Sequence, residues 1–190
     1  MPDPILRVPM NAETSGYAII DPTKLTQADM PLFVFADDRN SMVGWFIKWH
    51  TKGEYNHTMM MIEPGQFVSQ DFGGFHRVPL ENYMKANMLL KFFSYNGLRE
   101  EQKQFIYKKI EKQLKENPYK KGYDWLGVFG QSIGIPWVNN PWKKYCSERV
   151  GEIARDVSIP VGLHDSPSVV NTIFHKHMPP LQIKGYWIKN

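Results

Sequence analysis

The stretch HTMMMIEPGQFVSQD, which begins at His57, constrains the fold more than any other part of the chain. It contains two runs of strand length, residues 57–62 and 66–71, joined by a Pro-Gly connection. A connection this short joins antiparallel neighbours, so the sequence predicts a β-hairpin. Side chains alternate along a strand, which places His57, Met59 and Met61 on one face.

Other segments extend this hairpin into a larger sheet with helices. Apolar runs predict further strands at residues 32–36, 76–80, 88–93 and in the C-terminal LQIKGYWI. Helical spacing and end signals predict a short helix before Gly53, a long helix over 99–117, a helix beginning near the single cysteine, and a helix that Ser166 caps. Strands and helices in this order predict an α+β fold.

Length and composition favour one packed domain. The chain has 190 residues, of which 42% are hydrophobic and 22% charged, so it can bury a sizeable core. Residues 1–30 are rich in Pro, Asp, Thr and Asn and are expected to form an N-terminal arm, which could dock on a larger assembly. No apolar run approaches the roughly 20 residues of a membrane span, and we find no secretory signal.

The net charge of +4 is compatible with an acidic partner. Lysine and glutamate are nevertheless mixed along the long helix, and no basic-aromatic module of a nucleic-acid-binding protein is present. We therefore expect no specific nucleic-acid partner. There is no HExxH, CxxC or carboxylate cluster, so we expect neither a metal nor another cofactor.

Cys146, the only cysteine, allows two interpretations. It shares the apolar stripe of the following helix with Val150 and Ile153, as a small buried hydrophobic residue would. It also lies where that helix begins, and the partial positive charge and unpaired N–H groups of a helix N-terminus stabilise a thiolate. The second interpretation requires a base, and His57 at the head of its strand is the best placed; His50 and His76 are alternatives.

Several segments together resemble a known family. They are NHTMMMIEPG and GGFHRVPLENY, then YDWLGV, YCSERV and DSPSVV, in this order. The set is similar to the circularly permuted papain-like cysteine hydrolases, the YiiX/YaeF-like branch of the NlpC superfamily, with lecithin:retinol acyltransferase more distant. The match covers residues 31–178 and leaves 179–190 as a tail or edge strand. The resemblance implies an antiparallel sheet packed against a helix that carries the nucleophilic cysteine at its N-terminus.

The resemblance also implies residue roles. Cys146 would be the nucleophile and His57 the general base, with the order of the two explained by the permutation. A polar residue of the neighbouring strand should orient the histidine. That residue is often glutamate in the permuted branch, but this strand has none. Gln70 is our choice, with Ser69 and Asp71 as alternatives that depend on the register.

Aromatic residues before the cysteine are candidates for a substrate pocket. Tyr123, in YDWLGV, matches a position that lies near the site in relatives, although core packing would explain it equally well. Trp142 and Tyr145, with Trp137, would form the wall or entrance of the pocket. Aromatic side chains also serve as ordinary core residues.

The expected function is hydrolysis of an amide through a thioester, with peptidoglycan stem peptides as the favoured substrate. A wall enzyme without a signal peptide would be cytoplasmic as made, then released by lysis or carried by a phage particle. One alternative is an acyl-lipid hydrolase or acyltransferase that uses the same Cys-His pair. Another is a non-catalytic binding or structural module that retains the fold, for which the missing glutamate is the supporting feature.

Overall fold

The fold is α+β, with a six-stranded antiparallel sheet and four helices among the described residues. The computed structural model describes residues 19–51, 53–71, 73–116, 146–163, 165–177 and 181–189. The strands are β1 (Leu32–Asp38), β2 (His57–Glu63), β3 (Gln66–Asp71), β4 (Gly74–Pro79), β5 (Met88–Tyr95) and β6 (Leu181–Lys189). The helices are α1 (Met42–Thr51), α2 (Glu100–Leu114), α3 (Cys146–Asp156) and α4 (Pro167–Lys176).

The sheet has the order β4-β3-β2-β1-β5-β6. The predicted hairpin is present as β2 and β3, and the C-terminal stretch forms β6 at the sheet edge beside β5. The long helix is also present, although it ends earlier than predicted, at Leu114. Ser166 caps α4 by accepting from the Val169 N–H, with Pro167 in the first turn, as the sequence indicated.

The two faces of the sheet carry separate apolar clusters. On one face, Met60 and Ile62 of β2 pack in a cluster with Val150, Ile153 and Ala154 of α3. Each of these helix side chains is at most 4% exposed. Fully burying an aliphatic side chain of the size of Val or Ile stabilises a fold by about 1.5–3 kcal/mol, so this stripe fixes α3 against the sheet. We call this side the helix face.

The opposite face, which we call the second face, includes Met59 and Met61 of β2 together with Phe67 of β3. Leu25 and Met30, from the segment before β1, pack against the same cluster. This segment contains two short 3-10 turns, Pro22–Lys24 and Gln27–Asp29. The described part of the N-terminal arm therefore covers the second face of the sheet.

Candidate functional site

Cys146 is the first residue of α3, and its side chain is only 2% exposed. The backbone N–H groups of Thr58, Ser147 and Cys146 itself are close enough to the sulfur to lower its pKa. Burial has the larger effect, so the pKa of the Cys146 thiol is raised above its ordinary value. The Ser147 hydroxyl donates to the Asp165 carbonyl at 2.5 Å, which ties the start of the helix to the turn before α4.

Thr58 is the residue of β2 that contacts this cysteine. Alternation places it on the helix face with Met60 and Ile62, and it is completely buried. Its hydroxyl lies near enough to the sulfur to lower the pKa of Cys146. The same hydroxyl has no well-aligned hydrogen-bond partner among the described residues. The cysteine therefore faces the buried Thr58 hydroxyl, whose O–H donates no hydrogen bond to another described residue.

His57, the preceding residue, lies on the second face. Its Nε2 is 2.7 Å from Ser69 Oγ and 3.4 Å from the Tyr83 hydroxyl. The Ser69 and Tyr83 hydroxyls are 3.1 Å apart, and the Tyr83 ring stacks on the imidazole with 6.1 Å between centroids. Burial lowers the pKa of His57 from 6.5 to about 4. Its other nitrogen, Nδ1, has no hydrogen-bond partner among the described residues, which leaves it able to accept a proton.

Gln70, our choice for orienting His57, lies on the helix face instead. Its Oε1 accepts a hydrogen bond from Arg149 Nε of α3 at 3.3 Å. The pairing of β2 with β3 shifts by one residue between Met61 and Glu63. Met59 therefore pairs with Ser69 and not with Gln70. A one-residue shift exchanges the two faces of a strand, so Ser69 takes the position that Gln70 would have held in a regular hairpin.

Asp71, the other alternative, lines a cleft of about 420 Å³ beside His57. Its Oδ1 accepts from the Gly73 N–H at 2.8 Å, and its Oδ2 is 3.5 Å from His76 Nε2. The carboxylate thus contacts the next turn and strand. The cleft is also lined by Gly44 of α1 and by Tyr83, so it reaches the group that contacts His57.

Cys146 and His57 lie on opposite faces of the sheet at the start of β2. No hydrogen bond joins them in the described part of the chain. They are still near each other, because Thr58, which contacts the sulfur, directly follows His57 in the chain. Burial raises the pKa of the Tyr83 phenol, and negative charge on the Cys146 sulfur would raise it further. The raised pKa of the thiol and the lowered pKa of the imidazole both favour the neutral forms at pH 7.

The predicted pocket residues Tyr123, Trp142 and Tyr145, with Trp137, lie outside the described residues. The sequence interpretation missed Thr58 and Tyr83. Thr58 could have been recognised because the residue after a strand-opening histidine must face the opposite side of the sheet. Tyr83 offered no periodic signal, since it follows the 3-10 turn Leu80–Asn82 rather than lying in a strand.

No known family model and no curated protein matches this chain. In the parts that the structure describes, no helix is both long and apolar enough to cross a membrane. Within the same ranges, no group of three or more histidine, cysteine, aspartate or glutamate side chains is arranged to bind a metal ion.

Proposed function

We propose that this protein is a cysteine hydrolase of the permuted papain-like, NlpC type, which cleaves an amide bond through a thioester. The observation that carries the proposal is the position of Cys146. It begins α3 and contacts Thr58, the residue next to His57, whose Nδ1 has no partner among the described residues. A nucleophile at a helix N-terminus with an oriented base nearby suits acyl transfer.

The proposed reaction starts from the neutral pair. His57 Nδ1 accepts the thiol proton as the sulfur attacks the carbonyl carbon, and the carbonyl π electrons move to oxygen. The oxyanion is stabilised by N–H groups at the start of α3. On collapse, the carbon–nitrogen bond breaks and the amine leaves with the proton from His57. Water then gives a proton to His57 as its oxygen attacks the thioester carbon. The adduct collapses, the carbon–sulfur bond breaks, the acid is released, and His57 returns the proton to the sulfur.

The approach of the two groups is part of this proposal. The sulfur and the imidazole are not hydrogen-bonded in the resting structure, as described above, and catalytic hydrogen bonds often form fully only with substrate bound. Ser69 takes the orienting role in the proposal because its Oγ is 2.7 Å from His57 Nε2. A hydroxyl that accepts the Nε2 proton leaves Nδ1 as the basic nitrogen.

Peptidoglycan stem peptides are the proposed substrate, and lysis or delivery by a phage particle the proposed route to the wall. The support is the family resemblance together with the net charge of +4, which suits an anionic wall polymer. The cleft of about 420 Å³ beside His57 has a volume within the range of small-molecule and cofactor sites. Cys146 is not among its described lining residues, so the cleft would receive a part of the peptide away from the scissile bond.

The test is digestion of purified peptidoglycan sacculi, with mass spectrometry of the soluble products. We expect wild type to release muropeptides that carry a new amine and a new carboxylate. Cys146→Ala and His57→Ala should release none, while His177→Ala, which removes a histidine at the end of α4, should act as wild type. Release that persists in Cys146→Ala would refute the proposed nucleophile.

A non-catalytic module that retains the fold is the second candidate. Burial of the thiol and its raised pKa favour it, because an inert structural cysteine has both properties. The same preparations should therefore be assayed on phospholipid and acyl-thioester substrates. Lipid cleavage that depends on Cys146 would select the acyl-lipid alternative, and inactivity on every substrate would select the non-catalytic module.

A further inference from the structure

Thr58 contributes a group to the site for which the hydrolase mechanism above has no role. Its side chain is fully buried on the helix face, against the first residue of α3. Its hydroxyl has no well-aligned partner among the described residues. A buried polar atom without a partner destabilises the fold, and such atoms are uncommon enough in folded proteins to call for an explanation.

The surroundings of the hydroxyl show what it could bind. The N–H groups of Cys146 and Ser147, both in the first turn of α3, lie close enough to the same sulfur to lower its pKa. The backbone N–H of Thr58 reaches the sulfur from the strand side, where the pairing of β2 with β3 begins only at Met59. The helix and the strand thus bring donors near the sulfur, and the hydroxyl of Thr58 is one of them.

We infer that the Thr58 hydroxyl is a further catalytic group, which donates a hydrogen bond to the Cys146 thiolate and to the oxyanion formed when this sulfur attacks a carbonyl. The part that concerns the oxyanion rests on the proposed hydrolase function. The part that concerns the thiolate does not, since it needs only the described contact. In the first role the hydroxyl stabilises negative charge on sulfur, and in the second the same charge after its transfer to oxygen.

The ligand that this arrangement accepts is a carbonyl whose oxygen becomes negative. Three backbone N–H groups and one hydroxyl supply donors without supplying a formal charge. Such a set favours an anion that develops during reaction, and it does not require an ionised substrate. Attack forms the carbon–sulfur bond and moves the π electrons to oxygen, so the step needs no co-reactant beyond the proton acceptor His57.

Two variants separate the hydroxyl from the shape of its side chain. Thr58→Val replaces the hydroxyl with a methyl group of similar volume, and Thr58→Ser keeps the hydroxyl and removes the methyl group. Met60→Leu, two residues along the same face of β2, is the packing control. Thermal unfolding of wild type and the three variants shows whether each variant remains folded before its thiol is examined.

The first measurement is the titration of the single cysteine in protein labelled with 13C at the cysteine Cβ, which needs no access of a reagent to the buried sulfur. We expect Thr58→Val to raise the pKa of Cys146 by about one unit, which corresponds to a tenfold change in the thiolate equilibrium. Thr58→Ser should keep the wild-type titration, as should Met60→Leu. A Thr58→Val curve that superimposes on that of wild type would overturn the inference.

The second measurement is hydrolysis of the substrate identified with sacculi. Thr58→Val should lower kcat by about tenfold or more with little change in KM, because the lost hydrogen bond is strongest in the transition state. Unchanged kcat would remove the oxyanion role. If wild type hydrolyses nothing while the Thr58→Val titration is shifted, the proposed function fails and the thiolate contact stands, so the two failures are distinguishable.

Discussion

Arg149 lies one helical turn after Cys146, and its Nε donates to the side-chain oxygen of Gln70 at 3.3 Å. Its Nη2 forms an ion pair with Glu116 at 2.9 Å, and its guanidinium lies 5.4 Å from the centre of the Phe75 ring. The arginine is only 2% exposed. It therefore joins the cysteine helix to β3 and to the residues that follow α2.

Replacing Arg149 should weaken the packing of α3, which carries Cys146. We expect Arg149→Met to lower the free energy of unfolding by about 2 kcal/mol, because Gln70 and Glu116 lose their charged partner. The figure is below that for a fully buried ion pair, since the Glu116 side chain is 27% exposed. Urea denaturation measures it. The exposed Lys108→Met should change stability by less than about 0.5 kcal/mol, and an equal loss in both variants would contradict the prediction.

Ser69 and Gln70 can be compared directly as partners of His57. The proposed mechanism requires wild-type His57 to carry its neutral-form proton on Nε2, which is 2.7 Å from Ser69 Oγ, with Nδ1 as the proton acceptor. Long-range 1H–15N correlation spectra report this tautomer. Ser69→Ala should shift the population toward the Nδ1-protonated form, and Gln70→Ala should leave it unchanged. The opposite result would restore Gln70 as the orienting residue.

His57 also makes stability depend on pH. Its pKa is about 4 in the folded protein, against an ordinary value of 6.5, so below pH 6.5 the unfolded chain binds a proton that the folded protein does not. The free energy of unfolding should therefore decrease as the pH falls from 6.5 to 4. We expect a loss of about 2 kcal/mol, less than the full shift implies because His57 is only partly buried.

The control for this pH effect is a pair of glutamine variants. His57→Gln should lack that part of the decline between pH 6.5 and pH 4, whereas His177→Gln should keep it. Chemical denaturation at a series of pH values gives the curves. Parallel curves for wild type and His57→Gln would show that His57 is not the group responsible.

Gly44 of α1 is packed against the residue that precedes His57. A Cβ atom at this position would lie 2.4 Å from Asn56 Nδ2, a group that donates to the Asp38 carbonyl at 2.9 Å. Gly44→Ala should therefore destabilise the fold by about 1–3 kcal/mol and shift the His57 resonances. Met42→Ala, at a side chain that is 83% exposed, is the control within the same helix. Unperturbed His57 signals in Gly44→Ala would argue against the close contact.

The fold could be predicted largely because its signals are local. The Pro-Gly connection specified the hairpin of β2 and β3, and Ser166 with Pro167 specified the start of α4. The apolar stripe of Val150 and Ile153 predicted the helix that begins at Cys146. Each of these patterns lies within one or two turns of chain, where spacing and capping decide the structure.

The contacts of the candidate site could not be predicted as well, because they depend on the register. The shift between Met61 and Glu63 is one residue long and has no distinctive sequence, yet it exchanges Ser69 for Gln70 beside His57. Tyr83 reaches the imidazole from outside the sheet, through a tertiary contact. The buried environment that lowers the pKa of His57 is likewise a property of the assembled layers.

Strand β6 pairs with β5 from Tyr95 opposite Leu181 to Met88 opposite Lys189, with one register shift between Phe92 and Phe93. The chain between these strands contains α2, α3 and α4, so their pairing closes one long loop that includes the cysteine helix. Closing such a loop has an entropic cost that local contacts do not repay, which slows folding. During synthesis β6 is made after α3, and until then the hydrogen-bonding edge of β5 stays open to pairing with other chains.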